Sequence, residues 1–137
     1  MFEVVYYSRS GNTKKVAEAI AVELGVKAED VKAKEWLTKG SFVFLGFGCY
    51  VGKPGKGLRE FVARNDFKER QVALFGTSAG GGGDEVRIME ELLKWEGALI
   101  RGSFHCKGRF FFFFSRGHPS DEELAGAREF AKEMKKS

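Results

Sequence analysis

The sequence predicts an α/β fold in which helices cover both faces of a parallel, five-stranded sheet. Short runs rich in β-branched and aromatic residues alternate along the chain with longer segments of helical periodicity. Several of these runs are apolar without polar alternation, which is typical of strands buried on both faces of a parallel sheet. Strands and helices that alternate in this way are joined by right-handed crossovers.

The first predicted strand is FEVVYY, at Phe2–Tyr7. Residues 26–35 alternate weakly between apolar and charged side chains, so we predict a short edge strand there, protected by its lysines. Near-continuous apolar runs predict three further strands at residues 41–47, 71–75 and 98–104. With the helices between them, these strands account for the whole sheet.

Four helices are predicted between and after these strands. Apolar residues recur every four positions in residues 13–24, and Gly25 follows as the expected C-cap. The stripes of the second and third helices are Leu58, Phe61 and Val62, and Val86, Met89, Leu92 and Leu93. The last helix is preceded by a capping box, Ser120 and Glu123. No repeat or linker interrupts the pattern, so we expect one domain over residues 1–137.

The composition is that of an ordinary globular protein with a basic balance, a net charge of +4 and a pI of about 9.1. The basic residues are scattered, so we do not expect a nucleic-acid partner. The sequence contains no apolar run near the roughly 18 residues of a membrane span and no signal-peptide pattern. Its two cysteines do not suggest a disulfide scaffold, so a cytoplasmic location is expected.

A polar turn with one glycine follows the first strand, where ligands bind in open α/β sheets. Its side chains, its backbone amides and the N-terminus of the next helix can converge on one anion. The turn lacks both the Gly-Lys-Ser/Thr of a P-loop and the G-x-G-x-x-G of a dinucleotide fold. We therefore predict a phosphate site; the alternative is that the polar side chains only cap the helix.

This turn, SRSGNT at residues 8–13, resembles the flavodoxin phosphate signature of two hydroxyl residues, one residue apart, followed by Gly-Asn-Thr. QVALFGTSAG at 71–80 is similar to the fourth strand and flavin loop of flavodoxins, and residues 116–134 are similar to the final helix of short flavodoxin-like proteins. The resemblance spans essentially the whole chain. It implies a flavodoxin-like three-layer sandwich with strand order 2-1-3-4-5 and noncovalently bound FMN.

The same resemblance implies cofactor-binding residues in three loops. The phosphate would be held by Ser8, Arg9, Ser10, Gly11, Asn12 and Thr13. The flavin ring would be flanked by Gly48, Cys49, Tyr50, Val51 and Gly52. Its pyrimidine edge would be bound by Thr77, Ser78, Ala79 and Gly80. Arg9 could equally point to water, Cys49 could be a redox thiol or a small buried residue, and Tyr50 could stack on the flavin or pack on the sheet rim. We predict no catalytic residue and no metal ligands.

The resemblance favours an electron carrier that shuttles electrons between redox partners, rather than a stand-alone oxidoreductase. Two alternatives remain: an FMN-dependent reductase of a quinone or another small acceptor, and a flavin-free binding module on the same fold. The basic side chains after the second loop would suit an acidic partner.

A run of five phenylalanines follows the fifth predicted strand: Phe110, Phe111, Phe112, Phe113 and Phe114. Two-sided burial at the end of the sheet would account for the run. The alternative is an exposed apolar patch used for oligomerisation or for a partner.

Overall fold

The computed structural model describes residues 1–7, 11–48, 56–78, 84–107 and 121–136. Within these ranges five strands alternate with four helices. The elements are β1 (Phe2–Tyr7), α1 (Asn12–Leu24), β2 (Ala28–Asp30), β3 (Phe42–Gly48), α2 (Lys56–Arg64), β4 (Gln71–Ser78), α3 (Asp84–Trp95), β5 (Leu99–Lys107) and α4 (Asp121–Lys136). Along these ranges, no helix has the length and the apolar character needed to cross a membrane.

All strand pairs are parallel, and the strand order is β2-β1-β3-β4-β5. This confirms the predicted fold class and strand order. The short strand β2 lies at one edge, as predicted from its alternating charged residues, and Gly25 ends α1 as a left-handed C-cap.

Successive residues of the central strands enter two separate cores, because side chains alternate between the faces of a strand. Val4 and Phe44 belong to the core that α1 and α4 cover. Val5 and Leu45 belong to the core that α2 and α3 cover. The near-continuous apolar runs of β1 and β3 therefore fill both cores, which is why they lack polar alternation.

The last two strands differ from the prediction. β4 continues through Gly76 to Ser78, so the start of the predicted third loop is strand. β5 is an edge strand, and the expectation that its apolar run is buried on both faces is wrong: Leu99 is half exposed, and Arg101, Ser103 and His105 are exposed. A register shift opposite Val72/Ala73 adds a residue to β5, an irregularity typical of edges. The phenylalanine run at 110–114 and Ser120 of the predicted capping box lie outside the described residues.

A buried polar network holds the amino ends of the strands together. The carboxylate of Glu3 accepts hydrogen bonds from the Ser41 hydroxyl and from the backbone N–H of Thr38, the latter at 2.8 Å. Lys34 Nζ lies 2.9 Å from the other carboxylate oxygen. An Arg70 N–H donates to the Ser41 hydroxyl oxygen over 2.9 Å. Burial on its own would raise the pKa of Glu3, but the bonds from Ser41, Lys34 and Thr38 outweigh burial and lower it.

At the opposite ends of the strands, β1 and α2 make a close contact. The ring of Tyr7, the last residue of β1, lies against Gly57 in the first turn of α2, so that a Cβ at Gly57 would lie 2.8 Å from Tyr7 Cε2. Lys32 Nζ lies 5.6 Å from the centre of the same ring. Tyr7 thus packs between the carboxyl end of β1 and the N-terminus of α2, and a larger residue at position 57 would force the ring to shift.

Replacing Glu3 by glutamine should make the free energy of unfolding depend less on pH between about pH 3 and 7. A carboxyl whose pKa is lowered by folding stabilises the fold above its unfolded pKa of about 4.3, and this contribution is lost as the pH falls through the folded value. We expect Glu3→Gln to lose about 1–3 kcal/mol of unfolding free energy at pH 7 and progressively less below about pH 4.3. Urea unfolding from pH 3 to 7 measures this, with exposed Glu96→Gln as the control. A deficit that stays the same at all these pH values would contradict the network's role.

Replacing Gly57 by alanine should destabilise the wild type but stabilise a Tyr7→Leu background. A helical Gly→Ala change gains up to about 1 kcal/mol. The collision with the Tyr7 ring costs about 1–3 kcal/mol, and the smaller leucine removes it. Unfolding free energies of the four proteins in this double-mutant cycle give the coupling. Equal effects of Gly57→Ala in both backgrounds would show that the contact does not constrain α2.

Candidate functional site

The carboxyl ends of β1, β3 and β4 form one edge of the sheet, which we call the carboxyl edge. The chain leaves β1 through α1 towards β2, whereas it leaves β3 through α2 in the opposite direction, towards β4. The strand order therefore reverses between β1 and β3. In open α/β sheets this switch point creates the crevice in which ligands bind.

The N-terminus of α1 opens at this switch point. Gly11 precedes the helix with a φ of 87°, in the left-handed region that favours glycine. The next two residues, Asn12 and Thr13, are polar and yet only 4% and 1% exposed. Polar side chains can be buried without a large loss of free energy when they are hydrogen-bonded, and the hydroxyl of Thr13 has such a partner in Thr77.

The electrostatics of this helix end favour an anion. The first turn of α1 contains no acidic residue, and Lys14 and Lys15 are exposed there. The first N–H groups of a helix have no partner within the helix, and the helix dipole adds about half a positive charge at this end. A phosphate placed against the turn would thus find amide donors and a positive potential.

A hydrogen bond between two buried hydroxyls joins α1 to the carboxyl edge. Thr13 Oγ1 lies 2.7 Å from Thr77 Oγ1, and Thr77 is 4% exposed. Thr77 stands in register with Gly48 of β3. The described ends of the three predicted loops are therefore neighbours: the start of α1, the end of β3 and the end of β4.

Six of the predicted site residues belong to the described part of the chain and meet at this edge. They are Gly11, Asn12, Thr13, Gly48, Thr77 and Ser78. The other predicted site residues lie outside the described residues: Ser8, Arg9, Ser10, Cys49, Tyr50, Val51, Gly52, Ala79 and Gly80. Their contacts with a cofactor stay predictions.

Two features of the edge were missed at the level of sequence. One is Tyr7, whose ring packs on the first turn of α2. The other is the hydrogen bond between Thr77 and Thr13. The predicted contact of Thr77 with the pyrimidine edge of a flavin stays a prediction. The sequence contains one signal for this contact, because the two-residue period of a strand places Thr77 on the same face as Phe75. The structure shows Phe75 in the core beneath α1.

The chemistry of the edge fits a phosphate dianion. Neutral donors, a helix N-terminus and nearby lysines bind phosphate without a metal ion. Among the described side chains, no three His, Cys, Asp or Glu groups come together as metal ligands would. The parts of the second and third loops that would hold a flavin ring belong mostly to the residues that are not described.

Comparison with known proteins agrees with the fold. The family model of the flavodoxin domain matches residues 3–103. The chain is 28% identical to the uncharacterized protein MJ0298 of Methanocaldococcus jannaschii, covering 92% of this chain and 91% of that one. It is 24% identical to the flavodoxin-like domain-containing protein BilS of Clostridioides difficile, covering 96% and 94%.

Among solved structures, a flavodoxin from the domain Archaea superposes with a TM-score of 0.71 at 20% identity, covering 98% of both chains. This likeness concerns the fold. The family match covers well over half of the chain and includes β1, the polar turn and β4. The chain therefore belongs to the flavodoxin domain family, and this membership supports a flavin-binding electron-transfer or related flavoprotein role.

Proposed function

We propose that this protein binds FMN noncovalently and carries electrons between redox partners. The observation that carries the proposal is the meeting of the α1 N-terminus, with its buried Thr13, and the strand ends at Gly48 and Thr77. A ligand with one terminal phosphate and a flat ring suits this arrangement, because the phosphate can occupy the helix end while the ring extends along the strand ends.

In this proposal the residues bind and orient the cofactor, and the redox chemistry is that of the flavin. Gly11, Asn12 and Thr13 would hold the phosphate together with Ser8 and Ser10. The second and third loops would flank the ring, with Tyr50 as its stacking partner. No side chain has to act as an acid, a base or a nucleophile for electron transfer.

The charge of the chain extends the proposal to the partner. The protein carries a net charge of +4, and Lys14, Lys15 and Arg59 are exposed on helices that begin at the carboxyl edge. We therefore infer an acidic redox partner, whose approach the positive potential would accelerate. A rate of electron transfer that does not fall between about 50 and 500 mM salt would contradict this inference.

The alternative function, reduction of a quinone or another small acceptor, makes a different prediction. A reductase turns over continuously when the purified protein is given NAD(P)H and the acceptor. An electron carrier needs a second protein to reduce it. Steady turnover by the purified protein alone would therefore replace the carrier proposal with the enzyme.

The test of FMN binding is a titration of the flavin-free protein, followed by visible absorbance and flavin fluorescence. We expect saturable binding at one site per chain. Ser10→Glu should weaken it tenfold or more, about 1.4 kcal/mol, because a carboxylate would repel the phosphate. Val22→Glu, at an exposed position of α1, is the matched control and should bind FMN like the wild type.

Circular dichroism of each variant separates loss of binding from loss of fold. A wild-type protein that shows no spectral change with FMN would overturn the proposed function. Equal binding by Ser10→Glu and the wild type would place the phosphate elsewhere.

A further inference from the structure

The hydroxyl of Thr77 faces α1 rather than the open end of the sheet. It lies 2.7 Å from Thr13 Oγ1, and both side chains are almost fully buried. Two observations fix this direction. Phe75, two residues earlier on β4, packs in the core beneath α1, and Thr13 occupies the first turn of that helix. Thr77 therefore contacts the proposed phosphate site through Thr13.

The hydrogen bond between Thr13 and Thr77 can form in two ways, which differ in the hydroxyl that donates its hydrogen. Each threonine hydroxyl has one hydrogen to donate and two lone pairs that accept. The bond between them uses only one of the two hydrogens, and either oxygen can be the donor. If Thr77 donates, the hydrogen of Thr13 is left for a ligand at the helix end. If Thr13 donates, its hydrogen is used up inside the protein.

An anion at the N-terminus of α1 accepts hydrogen bonds and donates none. It therefore favours the arrangement in which Thr77 donates to Thr13 and Thr13 donates to the anion. Two hydroxyls in series polarise each other, so each bond is stronger than it would be alone. The bond from Thr77 also holds the Thr13 side chain in one orientation before the ligand arrives, which lowers the entropic cost of binding.

We propose that Thr77 is a positioning residue for the phosphate, acting through Thr13, and not a contact to the flavin ring. The proposal rests on the proposed function, because it requires FMN at this edge. It assigns the end of β4 a role in recognising the charged end of the cofactor. The hydroxyl of Thr77 should then matter only for ligands that carry the phosphate.

The experiment compares FMN with riboflavin, which has the same ring and lacks the phosphate. Thr77→Val keeps the shape of the side chain and removes the hydroxyl, whereas Thr77→Ser keeps the hydroxyl. Thr38→Val makes the same chemical change at an exposed position near the amino ends of the strands and serves as the matched control. Dissociation constants for both ligands are measured with all four proteins by fluorescence titration.

We expect Thr77→Val to weaken FMN binding roughly 3- to 10-fold, the value of one hydrogen bond, and to change riboflavin binding less than about twofold. Thr77→Ser and Thr38→Val should keep the wild-type ratio of the two constants. The ratio is the decisive readout, because a general loss of order at the edge would weaken both ligands equally. If Thr77→Val does not fold, Thr77→Ala replaces it in the comparison with Thr77→Ser.

The outcomes separate this inference from the function on which it rests. A wild-type protein that binds neither ligand overturns the proposed function. FMN binding by the wild type with an unchanged ratio in Thr77→Val overturns only the role of Thr77. Equal weakening of both ligands leaves the ratio unchanged and therefore also overturns that role.

Discussion

Parallel strand pairing with helices on both faces is the constraint on which the other features of this protein depend. β1, β3 and β4 are covered on both sides, so their middle residues enter one of two apolar cores and leave no place for a polar side chain. Polar side chains are therefore buried near the ends of the strands rather than at their middles. The described part of the chain follows this rule, because its buried polar residues are Glu3 and Ser41 at one edge and Asn12, Thr13 and Thr77 at the other.

Buried polar side chains have different partners at the amino ends and at the carboxyl ends of the strands. At the amino ends of the strands, Glu3 accepts hydrogen bonds from Ser41 and Thr38 and forms an ion pair with Lys34, so that its charge is compensated within the protein. A compensated network of this kind holds strand ends and connecting segments together. At the carboxyl edge, one hydrogen bond between Thr13 and Thr77 joins α1 to β4. The network at the amino ends compensates its own charge, whereas the role we propose for the threonine pair is to position a donor for a ligand.

Prediction from the sequence succeeded where a signal is local. The apolar runs of β1 and β3, the four-residue spacing in α1 and the C-cap at Gly25 depend on residues near one another in the chain, and they are observed as expected. It failed for β5, since an apolar run does not reveal whether a strand has one neighbour or two. The exposed Arg101, Ser103 and His105 follow from the edge position, which is a property of the whole sheet.

The sequence by itself determined the α/β class and the order of the elements, and it predicts a phosphate-binding turn at residues 8–13, because these follow from periodicity and from the chemistry of adjacent residues. Only the tertiary structure decided which distant residues share the site. Thr13 and Thr77 are 64 positions apart, and their contact depends on how α1 packs across the sheet. The fit of Tyr7 against Gly57 likewise exists only once β1 and α2 are packed together. Packing sums over many weak contacts between distant segments, and no local pattern encodes that sum.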